Sequence, residues 1–114
     1  MNIGVSGTRT CKDAALFEKI ALKHIRHGDT IITGDATGVD AMAQAHGLRR
    51  GLVVVICRAR WKEFGLKAGP IRNQEIVDRS DAFIALWDGK SRGTEDAIRR
   101  ARKKGIPLGV HTYG

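Results

Sequence analysis

Short apolar runs alternate along this chain with stretches whose apolar residues recur every three or four positions. The runs are Asn2 to Ser6, Thr30 to Thr33, Leu52 to Cys57, Ala82 to Trp87 and Leu108 to His111. Their length and β-branched content predict strands buried on both faces. Phe17, Ile20, Ala21 and His24 follow the spacing of one helix face, with Gly28 as the stop and His24 at the edge of the core. Thr10-Cys-Lys-Asp13 has the form of a capping box and is expected to start that helix. Thr37-Gly-Val-Asp40 repeats the form ahead of a small-residue helix through Arg50. Arg58 to Gly69 reads as basic and irregular. Pro70 suits the first turn of a helix carrying Ile71, Arg72, Ile76 and Val77, and a last helical pattern runs from Glu95 to Lys104.

Strands that alternate with helices predict a parallel sheet covered on both sides, an α/β three-layer sandwich formed by one domain over residues 1–114. Right-handed crossovers and double winding give the expected strand order 3-2-1-4-5, with the switch point between strands one and four. Ser6-Gly7-Thr8-Arg9 and Gly89-Lys-Ser-Arg-Gly-Thr94 open onto that crevice, and the loop Gly34 to Asp40 lies one strand over. A strand, a Gly-rich turn and a helix N-terminus bring unpaired N–H groups to one place, which suits an anion. Gly89 and Gly93 let the backbone approach a ligand closely, while Ser91 and Thr94 add hydroxyls. An ordinary βα turn would use the same glycines for chain reversal alone.

Charge narrows the partner. Twenty Lys and Arg against twelve Asp and Glu leave +8, which favours a phosphorylated small molecule or nucleic acid. Much of the excess lies in Arg99-Arg100-Ala-Arg102-Lys103-Lys104, where cations also complement a helix C-terminus without any partner. The six aromatics are too few and too apolar in setting to suggest a stacking platform. Cys11 and Cys57 lack metal-ligand spacing and read as reduced thiols of a cytoplasmic protein. No run approaches the roughly 20 apolar residues that span a bilayer, so no membrane association is expected. No metal or organic cofactor is expected either. The dinucleotide fingerprint and the P-loop pattern are both missing, and no acidic residue is expected to end the second strand and take a ribose.

Gly34-Asp-Ala-Thr-Gly-Val-Asp40, Ala59-Arg-Trp61, Ala68-Gly-Pro-Ile-Arg-Asn73 and Ser91-Arg-Gly-Thr94 together resemble the SLOG superfamily, in particular its small stand-alone YspA/YAcAr-like members. The resemblance implies a Rossmann-like domain that binds a nucleotide or nucleotide-derived ligand, as a homodimer or higher oligomer. On this reading Gly7, Thr8, Gly93 and Thr94 cradle a phosphate, and Arg9, Arg72 and Arg92 neutralise it. Ser6, Gly34, Thr37, Gly38, Asn73, Gly89 and Ser91 complete the expected site. Asp40 is either a helix cap or a ribose hydroxyl acceptor. The sequence is also similar to two more distant relatives. The cytokinin-activating phosphoribohydrolases (lysine decarboxylase-like) carry P-G-G-x-G-T-x-x-E. Gly93-Thr94 matches the G-T pair and Arg72 the upstream arginine, but the glutamate position falls on Ala97. An N-glycosidase acting on nucleoside monophosphates would then need Arg72 to orient the substrate and Glu95 or Asp88 to serve the reacting ribose. DNA-processing protein A carries a G-x-A-x-G-I-D-x-x-A-H pattern like Gly34 to Gln44, which makes single-stranded nucleic acid a secondary expected partner.

Overall fold

The computed structural model describes residues 1–114. Five parallel strands, β1 (Asn2–Gly7), β2 (Thr30–Gly34), β3 (Val53–Cys57), β4 (Ala82–Trp87) and β5 (Leu108–Thr112), form one sheet in the order β3-β2-β1-β4-β5. This is the expected Rossmann-like order. The chain winds from β1 outward through β2 to β3, then crosses back past β1 to lay down β4 and β5. A reversal of direction under right-handed crossovers moves the connecting helices to the other face of the sheet. Helices α1 (Ala14–His24) and α2 (Val39–Arg49) therefore cover one face, and α4 (Ala68–Asp78) and α5 (Arg92–Lys104) the other.

Alternation within the strands divides the core accordingly. Ile31, Ile84 and Leu86 pack with Phe17, Ile20 and Val39 under α1 and α2. Their strand neighbours Ile32, Phe83 and Ala85 pack with Ile76, Val77, Ala97 and Ile98 under α4 and α5. Two-sided burial is complete only in the middle of the sheet. Val53, on the edge strand β3, is 64% exposed, because no strand lies beyond it and the helices do not reach over it. Both cysteines are free and buried. At the other edge, a 2.9 Å Nε2–Nε2 hydrogen bond joins His24 at the end of α1 to His111 in β5.

Helix starts differ from the sequence expectation for local reasons. The Cys11 N–H bonds to the Thr8 carbonyl, so the chain turns once before α1, and Asp13 rather than Thr10 caps it by accepting from the Leu16 N–H at 3.0 Å. Thr37 does not cap α2. Its hydroxyl donates to the Arg9 carbonyl, Gly38 takes the N-cap position at φ +71°, and Asp40 reaches back to the Ala36 N–H at 3.2 Å. The stretch expected to be irregular holds a one-turn helix α3 (Trp61–Phe64) and a 3-10 turn (Gly65–Lys67) that run into α4. Pro70 sits third in α4, where the first-turn N–H groups need no acceptor. The last helix begins at Arg92, earlier than Glu95.

The basic run on α5 is mostly engaged within the fold. Arg99 and Arg100 pair with Asp96, and the Lys104 ammonium donates to the carbonyls of Val77, Asp78 and Ser80, closing the C-terminal end of α4. Arg102 and Lys103 have no such partners.

Candidate functional site

The C-terminal ends of β1, β2 and β4 surround a cleft of about 740 Å³. Its floor is Ser6 and Gly7 at the end of β1 with Arg9 beyond it, one wall is Asp35, Ala36, Thr37 and Asp40 after β2, and the other is Ser91 to Thr94 with Asp96. Trp61 from α3 and Gly69, Pro70, Arg72 and Asn73 from α4 complete the lining. The three loops expected at the switch point are thus brought together.

At the α5 wall, Ser91 occupies the N-cap position without a side-chain cap bond, and the first intrahelical N–H, that of Glu95, returns to the Ser91 carbonyl. The N–H groups of Arg92, Gly93 and Thr94 have no intramolecular acceptor, as the geometry of a helix start dictates. A Cβ added at Gly93 would meet no atom within 4 Å, and Arg92, Gly93 and Thr94 all line the cleft. Asp88 shapes the turn leading to them. Its carboxylate accepts from the Lys90 and Ser91 N–H groups at 2.9 and 2.8 Å, and those bonds hold it below the usual carboxylate range. Thr8 is buried beneath the turn, where its hydroxyl accepts from the Asp88 N–H.

The opposite wall is built around charge. Arg72 donates to Asp35 at 3.0 Å and to the Asn73 side-chain oxygen at 3.1 Å, which leaves its Nη2 without a protein acceptor. Asn73 is fully used: its amide nitrogen donates to the Gly93 carbonyl and to Asp96, fastening α4 to α5. The Asp96 carboxyl loses some ionisation to burial, but its bonds from Arg100 and Asn73 outweigh that and hold it below the ordinary value. Asp40 is 4% exposed, and burial pushes its pKa up to about 6 against the opposing pull of Arg72 and the Ala36 N–H. Arg9 and Arg92 line the cleft without a carboxylate partner, so they are the free cations there.

Several expected residues act by shaping the site. A Cβ at Gly7 would lie 2.5 Å from the Leu86 carbonyl and from Val39, one at Gly34 would strike Asp40 and Arg72, and one at Gly38 would strike the Thr8 and Arg9 carbonyls. These glycines let three loops and two charged side chains come together. Gly89, at φ +81°, turns the chain outside the lining. Glu95 is also outside it, exposed and 4.0 Å from Arg99. Ala97, in the glutamate position of the hydrolase motif, is 1% exposed and faces the sheet. Neither expected reacting carboxylate lines the cleft; the carboxylates that do are Asp35, Asp40 and Asp96.

Sequence reading missed Asp35 and the setting of Trp61. Asp35 follows the last residue of β2 directly, the position judged to lack an acidic group, so placing the strand end at Gly34 was the signal available. Trp61 was grouped with apolar aromatics. It is 52% exposed on the wall of the cleft.

A solved structure of DNA processing protein A from Helicobacter pylori, determined for its single-stranded DNA binding mode, superposes with a TM-score of 0.77 at 20% identity over 96% of this chain. The chain spans 64% of that protein's length, and at this identity the likeness is one of fold. Gene 61 protein of Mycobacterium phage D29 is 34% identical over 113 residues, covering 91% of this chain and 90% of the relative. Residues 1–64, the segment containing the β1 and β2 loops of the cleft, match the family model described as YspA, cpYpsA-related SLOG. With more than half its length under that model, the chain belongs to the YspA, cpYpsA-related SLOG family.

Proposed function

We propose that the cleft binds a nucleotide or nucleotide-derived molecule, with a phosphate held at the start of α5. The observation that carries this reading is the set of acceptor-free N–H groups of Arg92, Gly93 and Thr94, in a cleft whose unpaired cations are Arg9 and Arg92. A helix start favours an anion by about 0.3–1 kcal/mol through its dipole alone, and direct bonds from N–H and guanidinium groups add to that. Arg72, anchored by Asp35 and Asn73, supplies a further fixed donor. Asp40 and Asp35 stand one strand over, where carboxylate oxygens suit the hydroxyls of a ribose. The family supports a nucleotide-related ligand without naming the base.

Binding to the folded state alone should raise the melting temperature. At a ligand concentration of 100 times Kd the stabilisation is about 2.7 kcal/mol, or about 10 °C for a domain of this size. AMP and ADP-ribose are the first ligands to try by differential scanning calorimetry. The Cβ of Gly93→Leu would meet no protein atom within 4 Å, and the residue is exposed, so the variant should fold normally and lose the shift. A shift that survives in this variant would put the ligand elsewhere.

Single-stranded nucleic acid is the second reading, favoured by the +8 charge and by the fold shared with DNA processing protein A. Binding of AMP and of single-stranded DNA, each measured over a range of salt concentrations, separates the two. Binding carried by exposed charges such as Arg102 and Lys103 falls steeply with salt through counterion release, whereas a phosphate held at α5 inside the cleft depends on salt far less.

A further inference from the structure

We infer that Trp61 forms the wall of a base subsite, so that the cleft takes a phosphorylated ligand carrying an aromatic ring; this deepens the nucleotide reading and rests on it. Trp61 is the one aromatic side chain in a lining otherwise dominated by polar and charged groups, and it is half exposed. No aromatic ring or cation of the protein stacks on it. An indole left open in a cleft keeps a large apolar face in water, and a planar base laid against it removes that face from solvent.

The position of the ring is built, and it suits a base. Trp61 opens the short helix α3 and lies across Gly69, where a Cβ would come within 3.4 Å of the far edge of the indole. That is an ordinary van der Waals separation, so the ring lies close over the start of α4. Asn73, four residues further along α4, bonds the Gly93 carbonyl beside the acceptor-free N–H groups. Four residues of helix rise about 6 Å. Helix α4 thus carries both the seat of the indole, at Gly69, and the link to the anion end, at Asn73, about one helical turn apart along its axis. Asp35 and Asp40 line the same cleft. A volume of about 740 Å³ falls in the range of cavities that enclose small organic ligands, well beyond the needs of a lone phosphate.

Isothermal titration calorimetry with AMP and with ribose 5-phosphate, on wild type, Trp61→Ala and Trp61→Phe, tests the subsite. Wild type should bind AMP more tightly than ribose 5-phosphate. Stacking of one base on an aromatic side chain corresponds to a roughly 5- to 150-fold change in affinity, so Trp61→Ala should weaken AMP by that factor. It should leave ribose 5-phosphate within about twofold, because that probe has no ring to stack. Trp61→Phe should restore most of the AMP affinity. Equal weakening of both probes, or unchanged AMP binding in Trp61→Ala, would overturn the base subsite while leaving the phosphate site standing. Failure of wild type to bind either probe would overturn the nucleotide reading, and the subsite with it.

Discussion

Asp40→Asn is expected to stabilise the protein at pH 7 by about 3 kcal/mol and to remove a pH dependence between about pH 4 and 6. The Asp40 carboxyl is buried, and burial pushes its pKa up to about 6 from an ordinary 3.8 despite Arg72 nearby. The folded state therefore binds its proton more tightly than the unfolded chain does. Between those two values the native protein carries more protons than the unfolded one, so stability falls as pH rises through the window. Below about 4 the carboxyl is protonated in both states and costs nothing. Above about 6 it is ionised in both, and the fold bears the full cost.

Asparagine suits the site in place of the protonated acid. Its oxygen can accept from the Ala36 N–H, and its NH2 can donate to the Thr33 hydroxyl, whose own hydrogen goes to the Val5 carbonyl at 2.8 Å. Urea unfolding of both proteins at pH 4 and pH 7 measures the effect. The variant-minus-wild-type difference should be near zero at pH 4 and large at pH 7. Because Glu18, Asp88 and Asp96 have lowered pKa values, their stabilising contributions are lost as pH falls below the ordinary range, but they cancel in that difference. A difference independent of pH would mean that Asp40 titrates normally.

Gly38→Ala should destabilise by about 2–5 kcal/mol. Gly38 has φ +71° and ψ −124°, a region open to glycine and strained for any L side chain. The added Cβ would also lie 2.4–2.6 Å from the Thr8 and Arg9 backbone, and backbone there has nowhere to go: the Thr8 carbonyl accepts from the Val39 and Cys11 N–H groups. The two loops must separate, and the floor of the cleft goes with them. Unfolding in urea gives the stability change, and loss of AMP binding should accompany it. A variant as stable as wild type would show that these loops are held apart from one another in solution.

Much of the sheet was legible because its two patterns are strong. Ile31-Ile32 and Phe83-Ile84-Ala85-Leu86 are apolar without a break, which only a strand covered on both faces requires, and the order of strands then follows from handedness. Loop chemistry was harder to read. Thr37 and Thr10 carry the right residue type to cap a helix, yet Thr37 gives its hydroxyl to the Arg9 carbonyl, a partner 28 positions away. Long-range partners also decide the basic run, since Lys104 serves carbonyls at the end of α4 that sequence spacing does not bring near it. Gly7, Gly34 and Gly38 were expected at a ligand, and their local signature is the same whether a glycine admits a ligand or another stretch of the chain. The clashes that a Cβ would make there distinguish the two cases, and they exist only in three dimensions.

A phosphate seated on the N–H groups that open α5 must perturb their amide protons. Amide nitrogen–proton correlation spectra of the 15N-labelled protein, recorded as AMP is added, test it most directly. Saturable downfield shifts of the Gly93 and Thr94 amide protons are expected, larger than those elsewhere in the chain, as each gains a charged acceptor. Gly93 and Thr94 amides that stay in place while AMP binds, or a protein that AMP leaves unchanged throughout, would contradict it.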